Sequence, residues 1–449
     1  MPSPRVRLLA TVAIVAATLA ACGGGGESAS GGKSVTLQYA LWVPDQVPAY
    51  KACAAAFTKR NPNIKIHIIQ TDWDDYWNSL TTKLVAGTAP DVFADHLSKY
   101  PEFEKNGQIL DIQPLVTRDK VDTSVYIRGL ADLWVHNGHR YGLPKDWDTI
   151  ALVYNEALVK KAGIDAASLS KLTWNPQDCG TFGKTVAKLT VDQQGHNGLD
   201  PAFDKGHVKT YGLVIENFDA YGQNQWSPFA ASNGFTFTDK NPFGTRYRYD
   251  DPKLAETLAW FRGQIAKGYM MPEVKAGEGG ALPTMQAGKA ALTTDGSWTI
   301  SGYVATKDVH FGFAKLPEGP QGRKSMFNGL SDAIYAKTEH KEEAWKWVKF
   351  LGSAECQDIV GRYGVVFPAI RSGVDNMLEY SKAHGVDISA YSEEANDPNG
   401  TFEFPITNRA ADVVATMNPV MDQIMRGEVD PAKALPAANQ KVNQYLQQG

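Results

Sequence analysis

The sequence predicts an α/β protein with two lobes, on three observations. The chain of 449 residues is too long for one hydrophobic core, because single cores stop growing near ~250–300 residues. Strand-like and helix-like stretches alternate from residue 35 onward, which implies a sheet covered by helices. The stretch before them does not read as part of that fold.

Arg5 and Arg7 precede an apolar run, Leu8 to Ala21, that is shorter than the ~20 residues of a membrane-spanning helix. With small residues at its end it reads as a secretory signal over 1–21. Leu19-Ala20-Ala21-Cys22 resembles a bacterial lipobox, in which the signal is cut before the cysteine and the cysteine is diacylated. Cys22 is therefore the expected lipid anchor, and the Gly/Ser-rich residues 22–34 the flexible tether behind it.

The folded elements follow in order. Val35 to Leu41 alternates as a strand, and Pro48 to Arg60 places Tyr50, Cys53 and Phe57 on one helical face. Ile64 to Ile69 is the next strand. Tyr76, Leu80 and Leu84 recur at helical spacing until Gly87 stops the helix, and Asp91 to Ala94 resumes an extended run. Later, Leu254, Leu258, Phe261 and Ile265 form an apolar stripe after Asp251-Pro252, and Ala344, Val348 and Leu351 form another. Both stripes read as core packing.

Composition removes several functions. Net charge is -4 with acids and bases interspersed, so nothing points to nucleic acid or an anionic lipid surface. No stretch after the signal is apolar enough to cross a membrane. Beyond Cys22, only Cys53, Cys179 and Cys356 remain, without the spacing of a zinc site; one disulfide and one free thiol are allowed, with the pairing open. "CGTFGKT" at 179–185 lacks the first glycine of a phosphate loop. No G-x-S-x-G or H-E-x-x-H occurs, and "DQQGHNGLD" at 192–200 has too few carboxylates for a calcium loop. No cofactor or metal is expected.

Between the helical stretches lie polar loops carrying aromatic residues: "WVPDQ" at 42–46, "DHLSKY" at 95–100, "KDWDT" at 145–149, "QNQWS" at 223–227, "DGSW" at 295–298 and "NGLSD" at 328–332. Several follow a strand, and ligands of open α/β sheets bind at the carboxyl ends of strands. A polyhydroxylated ligand has apolar C–H faces and a rim of hydroxyls, so it needs flat platforms and hydrogen-bonding groups. Trp42, Trp147, Trp226 and Trp298 are candidate platforms; Asp45, Asp95, Asp146, Asp148 and Asn328 are candidate hydrogen-bonding groups. Any one of these tryptophans could equally be core; their recurrence in loops of one kind carries the reading.

Four motifs in order resemble the extracellular solute-binding proteins (family 1) of bacterial sugar ABC transporters, the cluster of maltose- and oligosaccharide-binding lipoproteins. They are "YWNSLTTKLVAGTAPDVF" at 76–93, "YGLPKDWDTIALVYNEALVKKAGI" at 141–164, "MQAGKAALTTDGSW" at 285–298 and "HKEEAWKWVKFLGSAECQ" at 340–357. The resemblance implies the two-lobe periplasmic-binding-protein-like fold of type II, with a ligand cleft between lobes joined by hinge crossovers near 145–151 and 327–333. It divides the chain into a first lobe of 35–148 plus 332–372 and a second of 149–331 plus 373–449. It adds Gln46 and His96 to the candidate ligand-binding set, with Phe404 and Asn408 from a region that aligns less well. It also implies a monomeric, non-enzymatic receptor, lipid-anchored on the extracytoplasmic face of the membrane, that captures a mono- or oligosaccharide and delivers it to permease subunits. The same fold could instead serve a polyamine, a glycerophosphodiester or iron, and a secreted carbohydrate-active enzyme is a more distant alternative.

Overall fold

The computed structural model describes residues 34–127, 129–272 and 280–448; the signal, Cys22 and nearly all of the tether lie outside them. Two sheets organise the chain. The first contains β1 (Val35–Leu41), β2 (Ile64–Gln70) and β3 (Val92–His96). Helix α1 (Val47–Arg60) connects β1 to β2, and α2 (Trp73–Ala86) connects β2 to β3. Gly87, at φ +78°, ends α2 in the left-handed conformation that glycine adopts without strain. After a hairpin of β4 (Val135–His136) and β5 (His139–Arg140), the chain enters β6 (Leu143–Asp148), passes through Thr149 and continues as β7 (Ile150–Asn155).

β7 belongs to the second sheet, with β8 (Val191–Asp192), β9 (Val208–Leu213), β10 (Ala290–Gly296) and β11 (Phe311–Ala314), in the order β11-β7-β10-β9-β8. The chain returns through β12 (Ser325–Ile334), and β13 (Phe367–Pro368) and β14 (Thr401–Glu403) complete the first sheet in the order β13-β6-β12-β3-β1-β2, with β14 beside β12. β1, β2 and β3 are parallel, whereas β12 runs antiparallel to β3 and β6. The crossovers touch where they change sheets: the Ile150 amide donates to Ser325 Oγ at 2.7 Å.

Each expected element forms. Asp251 caps the helix Pro252–Ala266 by accepting from the Lys253 amide, and the stripe of Ala344, Val348 and Leu351 is buried in the helix Lys341–Leu351. A disulfide joins Cys53 of α1 to Cys356 of the helix Ala354–Tyr363, with Cα atoms 5.2 Å apart, and leaves Cys179 free. Asp178, before the helix Gly180–Leu189, accepts from the Gly180 amide, so a side chain already occupies the start of that helix. Asp192 likewise accepts from the His196 and Asp204 amides and holds its own loop together. Among the described residues, no group of three or more His, Cys, Asp or Glu could hold a metal, and no helix is long and apolar enough to cross a membrane.

Candidate functional site

A cavity of about 350 Å³ lies between the sheets, at the ends of β1, β3 and β10 and over the crossovers β6 and β12. On the first-lobe side Trp42, directly after β1, packs edge-on against Trp73 and Tyr76 with ring centroids 5.2 Å apart, and tilted against Trp77 at 5.3 Å. Trp73 opens α2 and remains 44% exposed. Gln46 and His96 complete that wall. Opposite, Gln223 and Asn224 project from a loop, and Trp298 follows β10. The Trp298 ring lies against Gly296, where a Cβ would come within 2.0 Å of it, so any larger residue there displaces the indole.

The floor comes from paired strands. Asn328 lies opposite Asp148 and Leu330 opposite Asp146, which puts all four on one face, with Lys145 beside them. Asp148 accepts from Gln223 Nε2 at 2.5 Å and Asn328 Nδ2 at 3.1 Å. The same Asn328 Nδ2 lies 3.0 Å from His96 Nε2. Lys145 Nζ is 4.0 Å from Asp146 and 3.9 Å from Asp332, and stands over the Tyr50 ring at 4.3 Å.

Burial sets the protonation of this floor, because a low-dielectric surrounding disfavours charge. It raises the Asp146 carboxyl to about 7 against the opposing pull of Lys145, and raises Asp148 well above the usual carboxylate range, with Asp146 adding to the effect. It also lowers His96 to about 3. The imidazole is therefore neutral at physiological pH; its Nδ1 accepts from the Ser98 amide at 3.1 Å, and its Nε2 lies against the Asn328 amide.

The structure brings Trp42, Gln46, His96, Asp146, Asp148, Trp298 and Asn328 together around the cavity. Trp147 does not join them. Side chains alternate across a strand, so with Asp146 and Asp148 facing the cleft, Trp147 faces the core; there it stacks on Phe367 at 4.7 Å and donates to the Pro368 carbonyl. Trp226 is also buried, packed against Phe235 and Phe237, with its Nε1 donating to the Asp219 carbonyl. The same alternation turns Asp95 away from the cavity between Ala94 and His96; it is buried, accepts from the His96 amide and is pushed up to about 8 by desolvation. Phe404 backs the site from behind, 4.9 Å from the His96 ring. Asp45 sits outside the cavity, where Ser301 of the opposite side donates to it at 2.9 Å. Asn408 does not line the cavity either.

Sequence reasoning missed Trp73, Lys145, Asp219, Gln223 and Asn224. Lys145, Gln223 and Asn224 lay within loops already singled out, where the indole drew attention away from its neighbours.

Residues 43–358 match the family model of bacterial extracellular solute-binding proteins. The chain belongs to that family. Its members bind solutes and are not enzymes, and the fold is the family's two-lobe type II fold. The binding protein is 25% identical over 360 residues to a maltooligosaccharide ABC transporter solute-binding lipoprotein of Streptococcus pneumoniae, covering 79% of this chain and 77% of the relative. Among solved structures it resembles M. tuberculosis UspC, with TM-score 0.72 and 25% identity over 91% of this chain and 100% of the other. It also resembles Lmo0181 of Listeria monocytogenes in complex with cycloalternan, with TM-score 0.78 and 18% identity over 92% of this chain and 100% of the other.

Proposed function

We propose that this binding protein captures a mono- or oligosaccharide for an ABC importer and delivers it to the membrane permease. One observation carries the reading: indole rings from both sides of the cleft, Trp42 and Trp73 against Trp298, frame a floor of buried Asp146, Asp148 and Asn328. Flat apolar surfaces over a small set of fixed polar groups suit a ligand with C–H faces and a hydroxyl rim. Relatives named for maltooligosaccharide transport support the same class.

The first lobe takes residues 35–148 and 332 to about 383, because the helix Arg371–Ala383 seats on Ala354–Tyr363 so closely that a Cβ on Gly361 would meet the Gly373 carbonyl at 2.2 Å. The second lobe takes 149–331 and the remainder. The lobes rock about the β6–β7 and β12 crossovers. A solute touching both walls binds the closed form better than the open one, and that difference drives closure. The Asp45–Ser301 hydrogen bond adds a contact made only when the lobes meet. The receptor works as a monomer on the extracytoplasmic side of the membrane, and a diacylated Cys22 keeps it near its permease, raising effective concentration.

Calorimetric titration of the purified chain with mono- and oligosaccharides tests the reading. Saturable heat with at least one saccharide, with a matching rise in melting temperature, is expected. Heat only with a non-saccharide solute would refute it. For the anchor, the full chain should partition into detergent while Cys22→Ser stays in the aqueous phase.

A further inference from the structure

The polar atoms on the cavity floor are not equally engaged. Asp148 has both oxygens occupied, by Gln223 and Asn328. Asp219 accepts from the Tyr221 and Gly222 amides and from Gln225 Nε2. His96 is held between Asn328 and Ser98. Lys145 holds its ammonium between Asp146 at 4.0 Å and Asp332 at 3.9 Å, near the Tyr39 hydroxyl at 3.4 Å and over the Tyr50 ring, beyond hydrogen-bonding distance of Asp146. What remains is Asp146, fully buried with no hydrogen-bond partner for either oxygen, and the Oδ1 of Asn328, also buried and unpartnered. These three acceptors belong to diagonal neighbours on one face of paired strands and line the cavity together.

We infer that the deep end of the cavity receives a primary ammonium group, so that the captured saccharide is an amino sugar. The inference rests on the saccharide reading above and narrows it. A hydroxyl brings one donor but also two lone pairs, which would face oxygens already rich in lone pairs; an ammonium brings three donors and no acceptor. Three aspartates and one lysine line the cavity, the lysine shared between Asp146 and Asp332, and no arginine lines it. Burial also disfavours the empty site's Asp146 anion, and a cation seated on it restores the ionised form and its stronger hydrogen bonds.

The test is calorimetry near neutral pH with matched sets that differ at one substituent: glucosamine, N-acetylglucosamine and glucose, then the corresponding disaccharides in α and β linkage. The amine is expected to bind about tenfold or more tightly than its hydroxyl partner, as a charge-assisted contact against a neutral one. That advantage should disappear in Asp146→Asn, with the melting curve retained. Should Asp146→Asn fail to fold, Asn328→Ala serves as the second variant and should shrink the same advantage. Equal or tighter binding of the hydroxyl or N-acetyl member throughout would overturn the amine assignment and leave the saccharide reading standing. An amine advantage that survives substitution of the floor would also overturn it. Binding of putrescine or spermidine with no response to any saccharide would overturn both.

Discussion

On the first-lobe side of the cleft the wall is made by side-chain packing, with Trp42 wedged among Trp73, Tyr76 and Trp77; on the other side, Gln223 and Asn224 stand on a loop shaped by hydrogen bonds. In that loop Asp219 accepts from the Tyr221 amide at 2.8 Å, the Gly222 amide at 2.6 Å and Gln225 Nε2 at 3.1 Å, while Asn418 takes the Ala220 amide at 2.9 Å. The two constructions do different work. Packed rings offer area, and apolar attraction is non-directional. A hydrogen-bonded loop fixes where each amide points, and a site built to pair with a ligand rejects analogues that leave its buried groups unpaired. Affinity should therefore reside mainly in the packed indoles and selectivity in the Gln223–Asn224 loop.

The largest effect expected is at the loop's anchor. Asp219→Ala leaves three donors without their acceptor, at about 1–3 kcal/mol for each that stays buried; a fall of about 3 kcal/mol or more in unfolding free energy, together with loss of ligand binding, is expected by denaturant titration and calorimetry. Wild-type stability would show that the loop holds its shape by other means. Next come the indoles. Trp73→Ala and Trp298→Ala should each cost roughly 1.5–3 kcal/mol of binding, the worth of a large apolar side chain, with little change in melting temperature. Trp42→Ala should lose both, because its ring supports three neighbours. Equal melting losses in all three would erase the distinction between platform and scaffold. Gln223→Ala should cost about 1 kcal/mol and alter the ranking of saccharides more than their average affinity.

A pH effect separates floor from walls. Burial raises the carboxyls of Asp146 to about 7 and Asp95 to about 8, from an unfolded value near ~3.9. The fold thus favours their protonated forms. Their stabilisation is complete below about pH 4, declines as pH rises through the folded values, and is gone above about pH 8. The empty protein should melt at a higher temperature at about pH 5 than at about pH 8, and Asp146→Asn should flatten that slope; an unchanged slope would remove Asp146 as a source. The smallest effect is at the rim, where Asp45→Ala should weaken binding by less than about 1 kcal/mol, as a solvent-exposed contact does.

The fold was legible because its signals are local. Helical spacing of Tyr76, Leu80 and Leu84 up to Gly87, and the Asp251-Pro252 start before Leu254, need no knowledge of what lies across the molecule. The site was legible in part because its loops follow strands, yet which side chain of a loop faces the cleft depends on strand phase. In "KDWDT" that phase sends the two aspartates inward and the tryptophan to the core, a consequence of period two that the motif alone obscured. Trp226 was hidden differently: its indole anchors the loop whose amides reach the cavity. Trp73 carried a faint signal, an indole in the first turn of a helix where the packing stripe begins, but only the placement of α2 beside Trp42 brings it to the mouth. The pairing of Cys53 with Cys356 joins helices 303 residues apart in sequence, and three cysteines with no diagnostic spacing could not foretell it.

That bond spans the whole stretch in which the chain leaves the first lobe, builds most of the second and comes back. A protease that nicks any surface loop between residues 53 and 356 would therefore cut the backbone without separating the pieces. For a receptor working outside the cell, among enzymes it does not control, the staple keeps a nicked molecule in one piece.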